Sequence, residues 1–295
     1  MILVTGAGGL VGRPLVDLLV ERGAKVRAVS RDPRLTGLPA GVEVVTGDPS
    51  RPDTIADALD GVTGVFLNPR ALGQSPDPEV VGAAATRLLG LARERGVTRV
   101  VAMSALNVDH DVADQPSRLR GEYNKEVEAA AVASGLEWAA LRSGYYAANA
   151  ATSWAPQIRA GDVVRSPYPE SSWAPLHERD LAEVAAHALL TGGLAGSGPV
   201  LTGPRSLTQQ EMIAIIGETI GRPLHFEEVT PEAALQGMTR AGMPETLAAG
   251  FVRLQARSYL QHGLVTGEVE RILGRPGHTF AEWAAEHAPD FQVQG

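Results

Sequence analysis

The 295-residue chain contains no cysteine. Disulfides, thiolate zinc sites, iron–sulfur clusters and cysteine nucleophiles are excluded together. Lysine is almost missing too: of 26 basic residues only Lys25 and Lys125 are lysines. Base composition favouring arginine codons accounts for such a skew. Yet each surviving lysine offers what arginine cannot, a movable, titratable ammonium. No apolar run approaches the ~18 residues of a membrane-spanning helix. Met1-Ile2-Leu3-Val4-Thr5 is already strand-like, with no basic leader before it, which points to a cytoplasmic protein. The net charge of -8 argues against nucleic acid or an anionic membrane as partner. The seven histidines show no ligand spacing, so no metal is expected.

What the chain does have is a rhythm. Ile2–Thr5, Lys25–Ser30, Val42–Thr46, Val62–Leu67, Arg99–Met103 and Glu137–Leu141 read as strands. Leu10–Arg22, Pro52–Leu59, Glu79–Arg95 and Leu119–Ser134 read as helices between them. Apolar strands alternating with amphipathic helices predict a doubly wound parallel sheet, an α/β Rossmann architecture. The rhythm changes after Tyr146. Residues 153–176 read as loops and short strands, Glu178–Leu190 and Thr208–Ile220 as helices, and Leu224–Val229 as a strand. From Pro231 to Ala288 the chain reads as helical. The expected division is residues 1–150 as the dinucleotide-binding domain and 151–295 as a smaller α/β lobe interleaved with it.

Thr5-Gly6-Ala7-Gly8-Gly9-Leu10-Val11-Gly12 sits between the first strand and the first helix. Gly6 permits a tight turn, Gly9 lets backbone approach a pyrophosphate, and Gly12 allows close helix–strand packing. Amides at the helix start, including those of Leu10 and Val11, point at the anion. The strand–turn–helix context is what makes the glycine spacing informative.

The end of the second strand selects the nucleotide. An acidic residue there would bind the ribose 2′-hydroxyl. This chain offers Ser30-Arg31-Asp32-Pro33-Arg34 instead. A guanidinium forks onto a phosphate and serine does not repel it, so NADP(H) is expected.

These segments resemble the NmrA-like, atypical branch of the short-chain dehydrogenase/reductase superfamily. The resemblance covers nearly the whole chain. It rests on the glycine turn, on Val45-Thr46-Gly47-Asp48, on Val65-Phe66-Leu67-Asn68-Pro69 and on Val100-Val101-Ala102-Met103-Ser104-Ala105. Glu128, Ser134-Gly135-Leu136-Glu137-Trp138, Leu141-Arg142 and Asn149 extend it, as do Leu201-Thr202-Gly203-Pro204 and the run Val269-Glu270-Arg271-Ile272-Leu273-Gly274-Arg275. The resemblance implies a Rossmann lobe holding NAD(P)(H) and a small C-terminal lobe closing a cleft. It implies that Asp48 contacts the adenine edge, that Asn68 and Pro69 line the cofactor ribose, and that Ser104 lies near the nicotinamide. A cap or turn role before Pro49 is the equal alternative for Asp48.

The main superfamily uses Tyr-x-x-x-Lys as its acid. Here Tyr123, Tyr145, Tyr146, Tyr168 and Tyr259 are followed four residues on by Val127, Asn149, Ala150, Ser172 and Gly263. The motif is absent. Isoflavone-reductase-like relatives of this branch use a lysine in the same general region, which points to Lys125, with Tyr123 as the competing acid. The two are about 200° apart around a helix, so both do not face one cleft. The plainer reading of Lys125 is an exposed lysine beside Glu122, Glu126 and Glu128. Tyr145, Tyr146 and Trp154 follow the sixth strand at the ligand-binding edge of the sheet and would form a flat pocket for a ring. The expected function is an NADPH-dependent oxidoreductase passing hydride to a small cyclic or carbonyl substrate such as a quinone, or a biosynthetic ketone or enone. A non-catalytic NADP(H)-sensing regulator with a protein partner, and a cofactor-retaining isomerase or cyclase, stay open. So does a homodimer.

Overall fold

Ile2–Thr5 (β1) is buried at every position and sits at the centre of a parallel sheet. The structure, a computed structural model, describes residues 1–32, 37–73, 75–110 and 116–292. After β1 come α1 (Gly12–Glu21), β2 (Val26–Ser30), β3 (Glu43–Thr46), β4 (Gly64–Leu67), α2 (Pro78–Glu94), β5 (Arg99–Ala105), α3 (Asn124–Ala133) and β6 (Glu137–Ser143). Next are α4 (Asn149–Ala160), β7 (Val163–Ser166), β8 (Ser172–Trp173), α5 (Glu178–Thr191) and β9 (Val200–Leu201). The chain continues through β10 (Leu207–Thr208), α6 (Gln209–Ile220), β11 (His225–Glu228), α7 (Pro231–Arg240), α8 (Glu245–Ser258), α9 (Glu268–Leu273) and α10 (Phe280–Glu286).

Two units result. Met1–Ser143 with Glu178–Leu201 is the first, and Gly144–His177 with Thr202–Gly295 the second. The chain crosses between them three times.

The first unit holds a seven-stranded parallel sheet in the order β3-β2-β1-β4-β5-β6-β9. This is the expected Rossmann architecture. The strand order reverses between β1 and β4, and that switch point opens a crevice at the carboxyl edge of the sheet. Helices α1 and α5 pack together, as do α2 and α3, and right-handed crossovers put the two pairs on opposite faces. Leu15, Val16, Leu18 and Leu19 give α1 one buried stripe.

The second unit has two small sheets, β8 with β10 and β7 with β11. Its core gathers Trp154, Ile158, Met212, Ile213, Ile216, Phe280, Trp283 and Phe291. Trp283 is fully buried, stacked 5.3 Å from Phe280 and 4.6 Å from His287.

Three local expectations need correction. Residues 153–160, expected among loops and short strands, belong to α4; Pro156 lies inside it, but burial of Trp154, Ala155 and Ile158 outweighs the lost helix propensity. Pro52–Leu59 forms two short 3-10 turns, where the Thr54 hydroxyl hydrogen-bonds the carbonyls of Asp48 and Arg51 in competition with a helix ladder. The helix expected from Leu119 begins at Asn124, preceded by a 3-10 turn over Pro116–Arg120. Among the described residues no helix is long and apolar enough to cross a membrane.

Trp283→Ala removes the largest side chain of the second core. The expected loss is about 3–5 kcal/mol, read as a lower urea midpoint by far-ultraviolet circular dichroism.

Candidate functional site

At the end of β1 the chain turns at Gly6, whose φ is +70°. The amide of Gly9 donates to the Gly6 carbonyl at 3.0 Å, closing the turn. Gly12 then starts α1 directly on top of it. A Cβ on Gly12 would lie 2.1 Å from the Gly6 oxygen, and one on Gly6 would lie 2.8 Å from Asn68 Nδ2. Gly12 is therefore required by volume and Gly6 by its positive φ. The N-terminus of α1 has no side-chain cap and no acidic residue in its first turn. Nothing of the chain's own competes there for an anion, and the helix dipole favours one. Leu10 is exposed and Val11 buried, so their contribution to an anion site is backbone.

Asn68 comes to this turn from β4. Its amide donates to Thr5 Oγ at 2.9 Å, and Thr5 Oγ donates to the Phe66 carbonyl at 3.0 Å. The Asn68 side chain caps the turn begun by buried Pro69, accepting from the Arg70 amide at 3.0 Å. Gly6, Gly12 and Asn68 thus converge at the switch point, the crevice where open α/β sheets bind nucleotides. A cradle that a single methyl group would fill is what a pyrophosphate needs, and these residues fit a dinucleotide.

At the end of β2, Ser30 Oγ accepts from the Asp32 amide at 3.1 Å and Arg31 is exposed. The Gly47 amide pairs with the Ser30 carbonyl at 2.9 Å, which sets Asp48 beside Arg31. Burial alone would raise the Asp48 pKa. The hydroxyl and amide of Ser50 and the charges of Arg31 and Arg51 outweigh it and hold the carboxyl below its ordinary value. Asp48 therefore stays ionised and closes the turn to Ser50 at 2.8 and 3.0 Å. Pro33 and Arg34 lie outside the described residues.

At the carboxyl end of β5, Ser104 is 2% exposed. Its hydroxyl donates to Glu128 Oε2 of α3 at 2.5 Å. Arg142 of β6 donates to Glu128 Oε1 from Nη2 at 2.6 Å and from Nε at 3.1 Å. Its Nη1 reaches Asp109 at 2.8 Å. The Glu128 hydrogen bonds raise the Arg142 pKa further above its ordinary value. Sequence reasoning missed this cluster as a site, although Glu128 and Arg142 both stood in the segments that carried the resemblance. The charges of residues spaced 14 apart give no local signal for pairing.

Tyr123 and Lys125 part company in the structure. Tyr123 is 6% exposed, lies in the core under α2 and α3, and has the Arg118 guanidinium 4.8 Å over its ring. Its position is that of a packing residue. Lys125 is exposed in the first turn of α3. The three glutamates beside it in the sequence are engaged elsewhere: Glu122 by Arg70 at 2.9 Å, Glu126 by Arg118 at 2.9 Å, and Glu128 by Arg142. Among the described residues Lys125 has no ion-pair partner.

The aromatic residues expected at the substrate belong to the second unit. Trp154 is 3% exposed within the core of that unit and is not available to a ligand, which corrects the expectation. Tyr145 and Tyr146 are half-buried. Tyr145 stacks on Trp173 with ring centroids 4.8 Å apart and planes 13° apart. Burial pushes the Tyr145 phenol above its ordinary pKa, so it remains a donor. Trp173 is the missing half of this aromatic wall, and in the sequence only the scarcity of aromatics marked it.

The profile of a protein family described as NAD(P)H-binding matches residues 6–191. The chain is 36% identical over 293 residues, 99% of each chain, to a (4-alkanoyl-5-oxo-2,5-dihydrofuran-3-yl)methyl phosphate reductase of Streptomyces griseus subsp. griseus. It is 34% identical over 296 residues, again 99% of each chain, to an NAD(P)H azoreductase of Xenophilus azovorans. The crystal structure of an NADPH-dependent quinone oxidoreductase from Escherichia coli in complex with NADPH shares the fold, with a TM-score of 0.78 at 21% identity, covering 97% of this chain and 99% of that one.

Gly12→Ala forces α1 away from the turn. The expected outcome is about 1–3 kcal/mol of lost stability. NADPH affinity should fall at least about tenfold, or 1.4 kcal/mol, in a fluorescence titration. Unchanged affinity would show that the cradle is not the binding site.

Proposed function

The chain belongs to the NAD(P)H-binding family, and from that premise we propose that it is an NADPH-dependent reductase of a small, electron-poor conjugated substrate. The observation that carries this reading is the glycine cradle at the switch point, built where only glycine fits. Full-length similarity to two proteins named as reductases supports it. Their named substrates, a dihydrofuranone and azo compounds, share with quinones an unsaturated bond that accepts hydride at one end and a proton at the other. A quinone or a cyclic enone is the substrate class this favours.

In this reading the amides at the start of α1 hold the pyrophosphate, and Asn68 and Pro69 line the ribose. Arg31, with Ser30, takes the 2′-phosphate. Asp48 does not oppose that phosphate, because Ser50 and Arg51 already engage its charge. Bound NADPH supplies the hydride. The chain supplies the proton, and Lys125 Nζ is its source. Ser104 contributes as an acceptor, since its own proton is committed to Glu128.

Three measurements test this. NADPH oxidation against a panel of quinones and enones should show turnover; nucleotide-dependent capture of a protein partner without turnover would favour the sensor instead. Arg31→Ala should weaken NADPH binding about tenfold while leaving NADH binding unchanged, the 1.4 kcal/mol expected of one charge-assisted contact. With only two lysines, Lys125 can be followed by amine acylation and mass spectrometry against exposed Lys25 as internal reference. NADPH should slow acylation of Lys125 and not of Lys25, and Lys125→Met should lower kcat. Equal acylation with and without NADPH, together with full turnover in that variant, would remove Lys125 from the site.

A further inference from the structure

The Glu128–Arg142 pair joins a buried carboxylate to a partly buried guanidinium, and no step above uses Arg142. Glu128 is 8% exposed and takes hydrogen bonds from Ser104, on β5, and Arg142, on β6. One carboxylate thus ties α3 to two adjacent strands. Buried ion pairs contribute little net stability, because desolvating both charges offsets their attraction. Apolar residues of similar volume would hold α3 on the sheet at least as well. What they would not do is fix a single register.

That register matters because of where Lys125 stands. Strands β5 and β6 are parallel, so α3 runs back from the carboxyl edge of the sheet to its amino edge. Ser104 is one residue from the carboxyl end of β5. Glu128 meets it there. Lys125 precedes Glu128 by three residues, on nearly the same helix face and about 4.5 Å further along the axis. Anchoring Glu128 to Ser104 therefore sets Lys125 just beyond the carboxyl edge, on the side of the sheet where Gly6 and Asn68 converge. A slip of one residue along α3 would rotate Lys125 by about 100° and carry it off that face.

We infer that Glu128 and Arg142 are positioning residues for the reductase: their ion pair locks α3 in the register that presents Lys125 Nζ at the carboxyl edge of the sheet. The inference rests on the proposed role of Lys125. Asp109 extends the pair by holding Arg142 from the loop after β5. Arg142 does not have to release a proton in this role, and arginine suits it because its fork fixes the angle of the carboxylate as well as its distance.

The test is a cycle on the full-length protein with NADPH and a quinone acceptor. Glu128→Leu with Arg142→Met removes both charges together and keeps volume. We expect an unchanged urea midpoint and NADPH Kd, a kcat at least about tenfold lower (1.4 kcal/mol), and loss of NADPH protection at Lys125 against acylation. Combined with Lys125→Met, the paired replacement should lower kcat no further, because both act through one ammonium. Full kcat and full protection in the paired variant overturn the inference and leave Lys125 as proton source. Effects that multiply in the combined variant overturn it as well. Full turnover in Lys125→Met overturns the proton-source reading itself, and the inference with it. Should the paired replacement not fold, Glu128→Gln keeps the shape and an acceptor for Ser104. Because that variant keeps one anchor and loses the charged fork to Arg142, it should show a smaller loss of kcat and of protection with unchanged Kd, and an unaltered kcat overturns the inference.

Discussion

The approach of Gly12 to Gly6 is the constraint on which the rest of the first unit depends. Helix α1 starts where its first Cα touches the carbonyl of the turn, too close for any side chain. That contact aims the helix's free amides at the switch point. It also fixes how α1 lies on the sheet, and so where its buried stripe meets α5. Thr5 transmits the same constraint sideways: one hydroxyl both donates to the Phe66 carbonyl and accepts from the Asn68 amide. The ends of β1 and β4 are thereby held level, and Asn68 is pressed onto Gly6. The glycine turn, the junction of β1 with β4 and the placement of Asn68 meet at this one backbone contact.

How much of this was legible in the sequence follows from how local each cause is. The glycine turn was legible because positive φ and missing volume are properties of single positions. The parallel strands were legible because burial on both faces leaves an apolar run. Helix α4 was not. Pro156 reads locally as a breaker, and what overrides it is the burial of Trp154 and Ile158 against residues far along the chain. The same burial removed Trp154 from the candidate pocket. Tyr123 and Lys125 were correctly separated by their angle around a helix, but which one faced the core was decided by α2 packing against α3.

The charges near Lys125 show the limit most clearly. Read along the chain, Glu122, Glu126 and Glu128 lie beside the lysine. In space each is taken by an arginine from elsewhere: Arg70 beyond β4, Arg118 before α3, and Arg142 on β6. Helical spacing predicts neighbours at three and four residues with useful accuracy, but the competing partners come from strand register, which a single sequence does not display.

The scarcity of lysine takes on meaning in this setting. A compositional bias toward arginine removes lysines without regard to position, so it explains why only two remain and nothing about their surroundings. Those surroundings divide the work between the two cations. Arginines hold the carboxylates of α3 with forked, permanently charged contacts, and a permanent charge is what a fixed helix register requires. Lys125 is left with an ammonium that is exposed, unpaired among the described residues and free to move. An arginine at that position would carry a permanent charge that gives up no proton. The glutamates near Lys125 in the sequence are taken by the arginines around it, and that is what leaves its ammonium without an ion-pair partner among the described residues.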